Sequence, residues 1–274
     1  MCAEIRVVYS DLDGTMVGPG GCFFRTDDQA FTVAPAMALV ELHQAGIALV
    51  LVSGRSLTSL REAGDIFGAD GCIGELGGIV ARHDGQGVEV LRGAMPAGLA
   101  GTPVEAMRRA NVLQLLQERW PARLQLHDPW HEDHQVDLLL RGNVPVEQAD
   151  ALLAASGFDW LRLRDNGVLA PGRRFEGLDA DPIHFYHLLP SGISKARAIE
   201  TDLRRRGLTG ANAVAIGDSH IDMEMAAQVS RLFIVANGAG AFTPAANITL
   251  TEGAMGLGWA SAIRYAVAQA AVSV

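Results

Sequence analysis

The sequence predicts an α/β protein: a doubly wound parallel-sheet core whose strands alternate with helices, interrupted by an inserted α+β segment. Three observations carry this. Short apolar runs rich in β-branched residues alternate with helical runs in both flanks of the chain. Two of those runs, Arg6 to Ser10 and Ala213 to Gly217, lead directly into acids, Asp11 and Asp13 in one case and Asp218 and Asp222 in the other. Between the flanks the rhythm changes, and strand-like and helical pieces succeed one another with no further strand end of the first type. The expected division is therefore a core of residues 1–82 and 187–274 and an insertion of residues 83–186, a size proper to a separate small domain.

Composition narrows the class. A chain of 274 residues with 49% hydrophobic and 19% charged residues can bury two cores of ordinary size and is not expected to be disordered. A net charge of -9 lacks the basic footprint that a nucleic-acid backbone requires, so no nucleic-acid partner is expected. A small anion is compatible with that charge, because it needs only a local cation and a few donors. The apolar run Ile47 to Val52 is too short to span a bilayer, so no membrane association is expected. Met1 to Arg6 carries no secretion-signal pattern, and Cys2, Cys22 and Cys72 are widely spaced without a pairing pattern; both suit a cytoplasmic location.

Taken in order, Arg6 to Ser10 is a buried strand ending in the polar turn Asp11-Leu12-Asp13-Gly14-Thr15. Val17 to Thr32, with Gly18-Pro19-Gly20-Gly21, is a loop bordering that turn. Pro35 opens a helix that Gly46 stops, and Ile47 to Val52 is the second strand, which makes a strand-helix-strand unit. Ser53-Gly54-Arg55 then turns into a helix over Ser56 to Phe67. Such a turn offers free backbone N-H groups and a hydroxyl to an oxyanion, although Ser53 in that place is equally an N-cap. Arg55 either faces an anionic substrate or pairs with an acid of the fold. A third strand lies around Cys72-Ile73, before Glu75-Leu76-Gly77-Gly78.

In the insertion, strands are expected at Val88 to Leu91, Arg123 to Leu126, Val136 to Leu140 and Trp160 to Leu163, and helices over Val104 to Trp120 and Pro145 to Ser156. His127-Asp128-Pro129-Trp130-His131-Glu132-Asp133-His134 has residues that can bind a transition metal but matches no standard zinc spacing, and reads as a solvated loop or as a specificity loop facing the substrate. Pro171 to Arg174 is a basic turn that either meets an anionic substrate or is merely surface. Ser194 is a natural N-cap, which puts Lys195 in the first turn of a helix running to Arg206. A lysine there opposes the helix dipole, a local cost that makes sense beside an anion. Ala213 to Gly217 is a further strand, Met223 to Val229 a helix, Leu232 to Gly238 a strand and turn, and Leu257 to Ala271 a closing helix. Asn237 reads as a turn residue that could also contact the rim of a site.

Asp11-Leu12-Asp13-Gly14-Thr15 resembles the signature of the haloacid dehalogenase-like phosphohydrolases, which have a Rossmann-like core. Gly192-Ile193-Ser194-Lys195 resembles that family's lysine motif, and Gly217-Asp218-Ser219-His220-Ile221-Asp222 its second acidic motif, with Ile221 where asparagine is usual. Glu75-Leu76-Gly77-Gly78 resembles a segment of its Cof-type, sucrose-phosphatase-like and phosphoglycolate phosphatase-like branches, with Leu76 in place of asparagine. The resemblance implies Asp11 as nucleophile and Asp13 as general acid/base. It implies Thr15, Ser53, Gly54 and Lys195 as the phosphate-binding set, and Mg2+ held by Asp11, Asp13, Asp218 and Asp222. Arg55 and Asn237 become possible substrate contacts, and the insertion becomes a cap that selects the substrate.

The function so implied is a Mg2+-dependent phosphatase hydrolysing a small phosphorylated metabolite of sugar phosphate, phosphoglycolate or mannosyl-phosphoglycerate type through an aspartyl phosphate. Asp13 favours phosphoryl over dehalogenase chemistry, because an alkoxide leaving group needs a proton donor. A phosphohexomutase on the same core, or a non-catalytic protein that binds a phosphometabolite, remains as the alternative.

Overall fold

The computed structural model describes residues 4–83, 87–169 and 172–271, so Cys2 and Pro171 lie outside the described residues. The chain forms two compact units, residues 1–89 with 194–274, and residues 90–193. The expected boundaries at 83 and 186 are therefore shifted towards the C-terminus by several residues at each junction. The reason is visible at the second one. Residues 184–190, expected to lie at the return to the core, are a strand of the smaller unit.

The larger unit is built on the alternation that the sequence displays. β1 (Val7–Ser10) is followed by α1 (Ala34–Gln44), β2 (Ala48–Val52), α2 (Leu57–Phe67), β3 (Gly71–Gly74), β4 (Ile79–Arg82) and β5 (Val88–Val90). All four residues of β1 are buried, as expected of a strand covered on both faces. The cap of α2 is Ser56, whose side chain accepts from the Ser59 N-H, and Gly68 ends the helix in a left-handed conformation (φ 64°). Ser53 is thereby relieved of the capping role that its position allowed. Between β3 and β4 a 3-10 turn over Glu75–Gly77 reverses the chain, and Glu75 is buried.

The smaller unit holds α3 (Pro103–Arg109), α4 (Val112–Arg119), β6 (Leu124–Leu126), β7 (Leu138–Gly142), α5 (Val146–Ala155), β8 (Leu161–Val168) and β9 (His184–Pro190). The single helix expected over 104–120 is broken at Asn111, which takes a left-handed φ of 52°. The strands pair antiparallel in the order β6-β7-β9-β8. Leu138 and Leu140, Leu161 and Leu163, and Tyr186 and Leu188 alternate along their strands and join Met107, Leu116 and Leu153 of the helices in one apolar cluster. The sheet thus has the four strands expected of the α+β insertion, but not the same four: the strand expected at 88–91 is β5 of the large sheet, and β9, which the periodicity did not disclose, takes its place.

The chain then re-enters the larger unit through α6 (Lys195–Arg206), β10 (Ala213–Gly217), β11 (Arg231–Ile234), β12 (Ile248–Leu250) and α7 (Met255–Ala271). Where a helix is expected over 223–229 the chain forms a 3-10 segment, Asp222–Gln228. The complete large sheet runs β12-β11-β10-β1-β2-β3-β4-β5. From β1 the chain steps outwards through β2 and β3, then returns to the other side of β1 through β10, and all of these neighbours are parallel. The strand order therefore reverses between β1 and β10, where open α/β sheets bind their ligands. Ser10 is in register with Ile216, so Asp11 and Asp218 leave the same edge of the sheet one residue apart in step. Among the described residues no helix is long and apolar enough to cross a membrane.

Candidate active site

The carboxyl ends of β1 and β10 bring Asp11, Asp218 and Asp222 together, with one oxygen from each inside a circle of 4.8 Å. Lys195, in the first turn of α6, reaches into the same place. Its Nζ donates to Asp11 Oδ1 at 2.7 Å and to Asp222 Oδ1 at 2.6 Å, and the ammonium is buried. The Ser194 hydroxyl caps the helix by accepting from the Arg197 N-H, and Glu224 Oε1 accepts from the Lys195 N-H at 2.9 Å. A carboxylate at the helix N-terminus offsets the cost of placing a lysine there.

Three carboxylates and one ammonium leave two negative charges uncompensated when all are ionised, and the acids respond to this. Burial pushes the Asp11 carboxyl above its ordinary range, Lys195 opposes the shift, and the Asp222 and Asp218 charges add to it. Asp218 is pushed up to about 6 by burial and by Asp222. Burial works against ionisation of Asp222 too, but Lys195 and the donors of Ser219 overcome it and hold that carboxyl low. Burial opposes the charge on Lys195 as well, and the two carboxylates beside it hold the ammonium above its usual range.

The Asp222 carboxylate is heavily engaged. Oδ2 accepts from the backbone N-H of Asp218 at 3.1 Å and from the N-H and hydroxyl of Ser219 at 2.9 and 2.7 Å, while Oδ1 takes Lys195. It closes the turn after β10 and seats the lysine. Ser219 stands in the sequence as a small polar residue between two acids at a strand end, and its part in holding Asp222 shows only in these bonds. Asp218 accepts from the Thr15 hydroxyl at 3.3 Å on Oδ1.

Asp13 leaves the group. Its carboxylate is gripped by Arg55, with Nε 2.7 Å from Oδ2 and Nη2 2.5 Å from Oδ1, and is about half exposed. Its side chain is thus not among the three that converge, and Arg55 pairs with an acid of the fold in this state. Ser53 is buried at the end of β2, where its Oγ accepts from the Arg55 N-H at 3.3 Å. Asn237, expected as a possible substrate contact, is exposed and makes three bonds to the protein. Its Nδ2 donates to Gly14 O at 2.9 Å and to Asp218 Oδ2 at 3.2 Å, and its Oδ1 accepts from the Met255 N-H at 2.8 Å. Ile221 is buried and has no polar group to offer.

The donor set fits a hard divalent cation: carboxylate oxygens on two rigid strand ends, with a charge excess equal to that of one such ion. It also suits phosphoryl chemistry, since Asp11 is held beside a buried ammonium that can offset charge on a phosphoryl oxygen.

In the smaller unit, the 127–134 segment is a run of turns rather than a wholly solvated loop, because His127 and His134 are both buried. His134 Nδ1 and His187 Nδ1 each bond one oxygen of the buried Asp137 carboxylate. His127 packs edge-on against Phe185 with ring centroids 4.5 Å apart, and the Arg141 guanidinium lies 3.7 Å from the ring centre of Phe175.

Comparison with known proteins bears on family and fold. A family model described as haloacid dehalogenase-like hydrolase matches residues 180–256. The phosphoglycolate phosphatase of Aeropyrum pernix is 24% identical over 228 residues, which cover 83% of this chain and 80% of that protein. The phosphoglycolate phosphatase of Methanospirillum hungatei is 25% identical over 223 residues, covering 81% and 79%. Among solved structures, the sucrose-phosphatase of Synechocystis sp. PCC6803, in complex with sucrose and phosphate, superposes with a TM-score of 0.63 at 16% identity, covering 96% of this chain and 98% of that one. A sugar phosphatase of subclass IIB has a TM-score of 0.60 at 15% identity, covering 95% and 98%. These structural likenesses bear on the fold.

Proposed function

We propose, from the premise that this chain belongs to the haloacid dehalogenase-like phosphatases of the Cof type, that it is a Mg2+-dependent hydrolase of a small phosphorylated metabolite. The substrate class favoured is a sugar phosphate or phosphoglycolate, in keeping with the activities named for its relatives and with the Glu75-Leu76-Gly77-Gly78 segment. The observation that carries the reading is the convergence of Asp11, Asp218, Asp222 and Lys195 at the reversal point of the sheet.

Asp11 is the nucleophile. One of its oxygens forms a bond to phosphorus as the bond to the leaving oxygen breaks, giving an aspartyl phosphate. Asp13 hands a proton to the departing alkoxide, and in the second half it takes one from the water that attacks phosphorus, so that inorganic phosphate leaves and Asp11 is regenerated. For that role one Asp13 oxygen must turn from Arg55 to the reacting oxygen while the other stays in the guanidinium's grip. Lys195 keeps Asp11 in place and offsets charge on the transferring group, while Ser53 and the backbone of Gly54 receive phosphoryl oxygens. Asp11 and Asp218 would hold Mg2+, which when bound supplies positive charge to the phosphoryl oxygens. Thr15, through its bond to Asp218, supports that pair more directly than it supports the phosphate. The inserted unit selects among substrates.

Hydrolysis of p-nitrophenyl phosphate with Mg2+ is the direct test. Activity should disappear on chelation with EDTA, return with added Mg2+, and be lost in Asp11→Asn; normal turnover by that variant would refute the assignment. A panel of phosphorylated metabolites then ranks the substrates, with phosphoglycolate and hexose phosphates expected at the top.

A further inference from the structure

We infer that Asn237 is the positioning residue of the cation-binding pair: it fixes Asp218 against the turn that carries Asp11. The inference rests on the proposed function and extends it to a residue outside the acidic motifs.

Asp218 has a reason to move. It is part-buried beside two other acids, and the one ammonium among them bonds Asp11 and Asp222 rather than Asp218. Like charges at such range repel, so an ionised Asp218 left to itself would rotate towards solvent. Two side chains hold its carboxylate, one on each oxygen: the Thr15 hydroxyl on Oδ1 and the Asn237 amide on Oδ2. Thr15 moves with the turn after β1. Asn237 comes from the segment after β11, and the same amide nitrogen also donates to Gly14 O in that turn.

The third contact explains why Asn237 itself stays put. Its Oδ1 accepts the backbone N-H of Met255, the first residue of α7, whose amide would otherwise lack an intrahelical acceptor. One side chain therefore joins the turn of Asp11, the carboxylate of Asp218 and the start of α7. A hydroxyl or a carboxylate could not replace it, because the arrangement needs two donor hydrogens and an acceptor on one short planar group.

Backbone packing leaves little freedom around these contacts. Gly14 has φ 82°, and a Cβ there would collide with Asp218 Oδ2. A Cβ on Gly238 would overlap the backbone oxygen of Asp218. The two glycines allow three chain segments to close on Asp218, and Asn237 supplies the polar tie among them. At position 221, in the turn between the acids, the buried isoleucine contributes no donor. The amide that reaches Asp218 thus comes from 237.

The test is Mg2+ binding to the full-length chain without substrate, measured by calorimetry for the wild type, Asn237→Ala and Asn237→Ser. The serine hydroxyl ends one bond short of both amide atoms, so it gives up Asp218 and Met255 alike while keeping a small polar group at this exposed position, which favours a folded variant. Both variants should bind Mg2+ roughly 10-fold more weakly, the scale on which supporting contacts act on metal affinity. The half-saturating Mg2+ for p-nitrophenyl phosphate hydrolysis should rise in step, with kcat at saturating Mg2+ largely retained. Should the alanine variant fail to fold, the serine variant decides alone. Wild-type Mg2+ affinity in a folded Asn237→Ser chain overturns the role of Asn237 and leaves the phosphatase reading intact. A wild-type chain that neither binds Mg2+ nor hydrolyses the ester overturns both.

Discussion

Arg55 holds both carboxylate oxygens of Asp13 in a bidentate fork, 2.7 Å from Nε and 2.5 Å from Nη2, across the ends of β2 and β1. A pair of this geometry orients the acid as well as attracting it. Because both side chains are a third or more exposed, Arg55→Ala should change the unfolding free energy by less than about 1 kcal/mol. Turnover should suffer far more, with kcat/KM for p-nitrophenyl phosphate falling on the order of 10-fold or more, since Asp13 loses its guide. Arg55→Lys should recover only part, because an ammonium cannot reproduce the fork. Equal losses of stability and rate would argue that Arg55 serves the fold alone.

Lys195 is a different case, being buried between Asp11 and Asp222. Its removal leaves two carboxylates facing each other with no cation between them. Lys195→Ala should lower stability by about 3–5 kcal/mol in urea denaturation and abolish phosphatase activity. Added Mg2+ should return part of the lost stability, since a ligand of the folded state stabilises it by mass action.

A pH effect is expected in the smaller unit. Burial, with Arg141, Arg173 and His131 nearby, pushes His127 down to about 4 from its usual 6.5. Between those two values the unfolded chain binds more protons than the folded one, so this residue favours folding above 6.5 and loses that contribution as the pH falls towards 4. Urea midpoints measured at pH 7 and pH 4.5 should differ more for the wild type than for His127→Gln. Identical pH dependence in the two proteins would remove His127 as a cause.

Asp137, bonded by His134 and His187, is a second electrostatic fixture of that unit. Burial opposes its charge, but the two imidazoles hold the carboxyl well below its ordinary range. Asp137→Asn removes the charged acceptor from both rings at once and should cost roughly 3 kcal/mol of stability. Chemical denaturation followed by the signal of the buried Trp120 and Trp160 reports it, and a loss under about 1 kcal/mol would mean that the rings find other acceptors.

The sequence made the large sheet readable because its strands, buried on both faces, are continuous apolar runs that end in acids, as at Val7 to Asp11 and Ala213 to Asp218. Local chemistry also disclosed Ser194 as a cap and Lys195 at a helix start. Three features resisted. β9 hides because His184, Phe185 and His187 make its alternation polar and aromatic rather than simply apolar. The break at Asn111 lies inside a run with helical periodicity, and only its left-handed backbone exposes it. The partner of Arg55 is 42 positions away at Asp13, and the bonds of Asn237 reach 223 positions to Gly14, 19 to Asp218 and 18 to Met255, separations that no local pattern encodes.

Because Ser10 and Ile216 are locked side by side by the hydrogen bonds of two parallel strands, the gap between the charges that follow them is inherited from the pleat itself. Both strands are buried on both faces, so slipping either by one step would exchange the side chains packed on each face and misfit both layers. Reaction geometry and core integrity are thereby guarded by the same ladder.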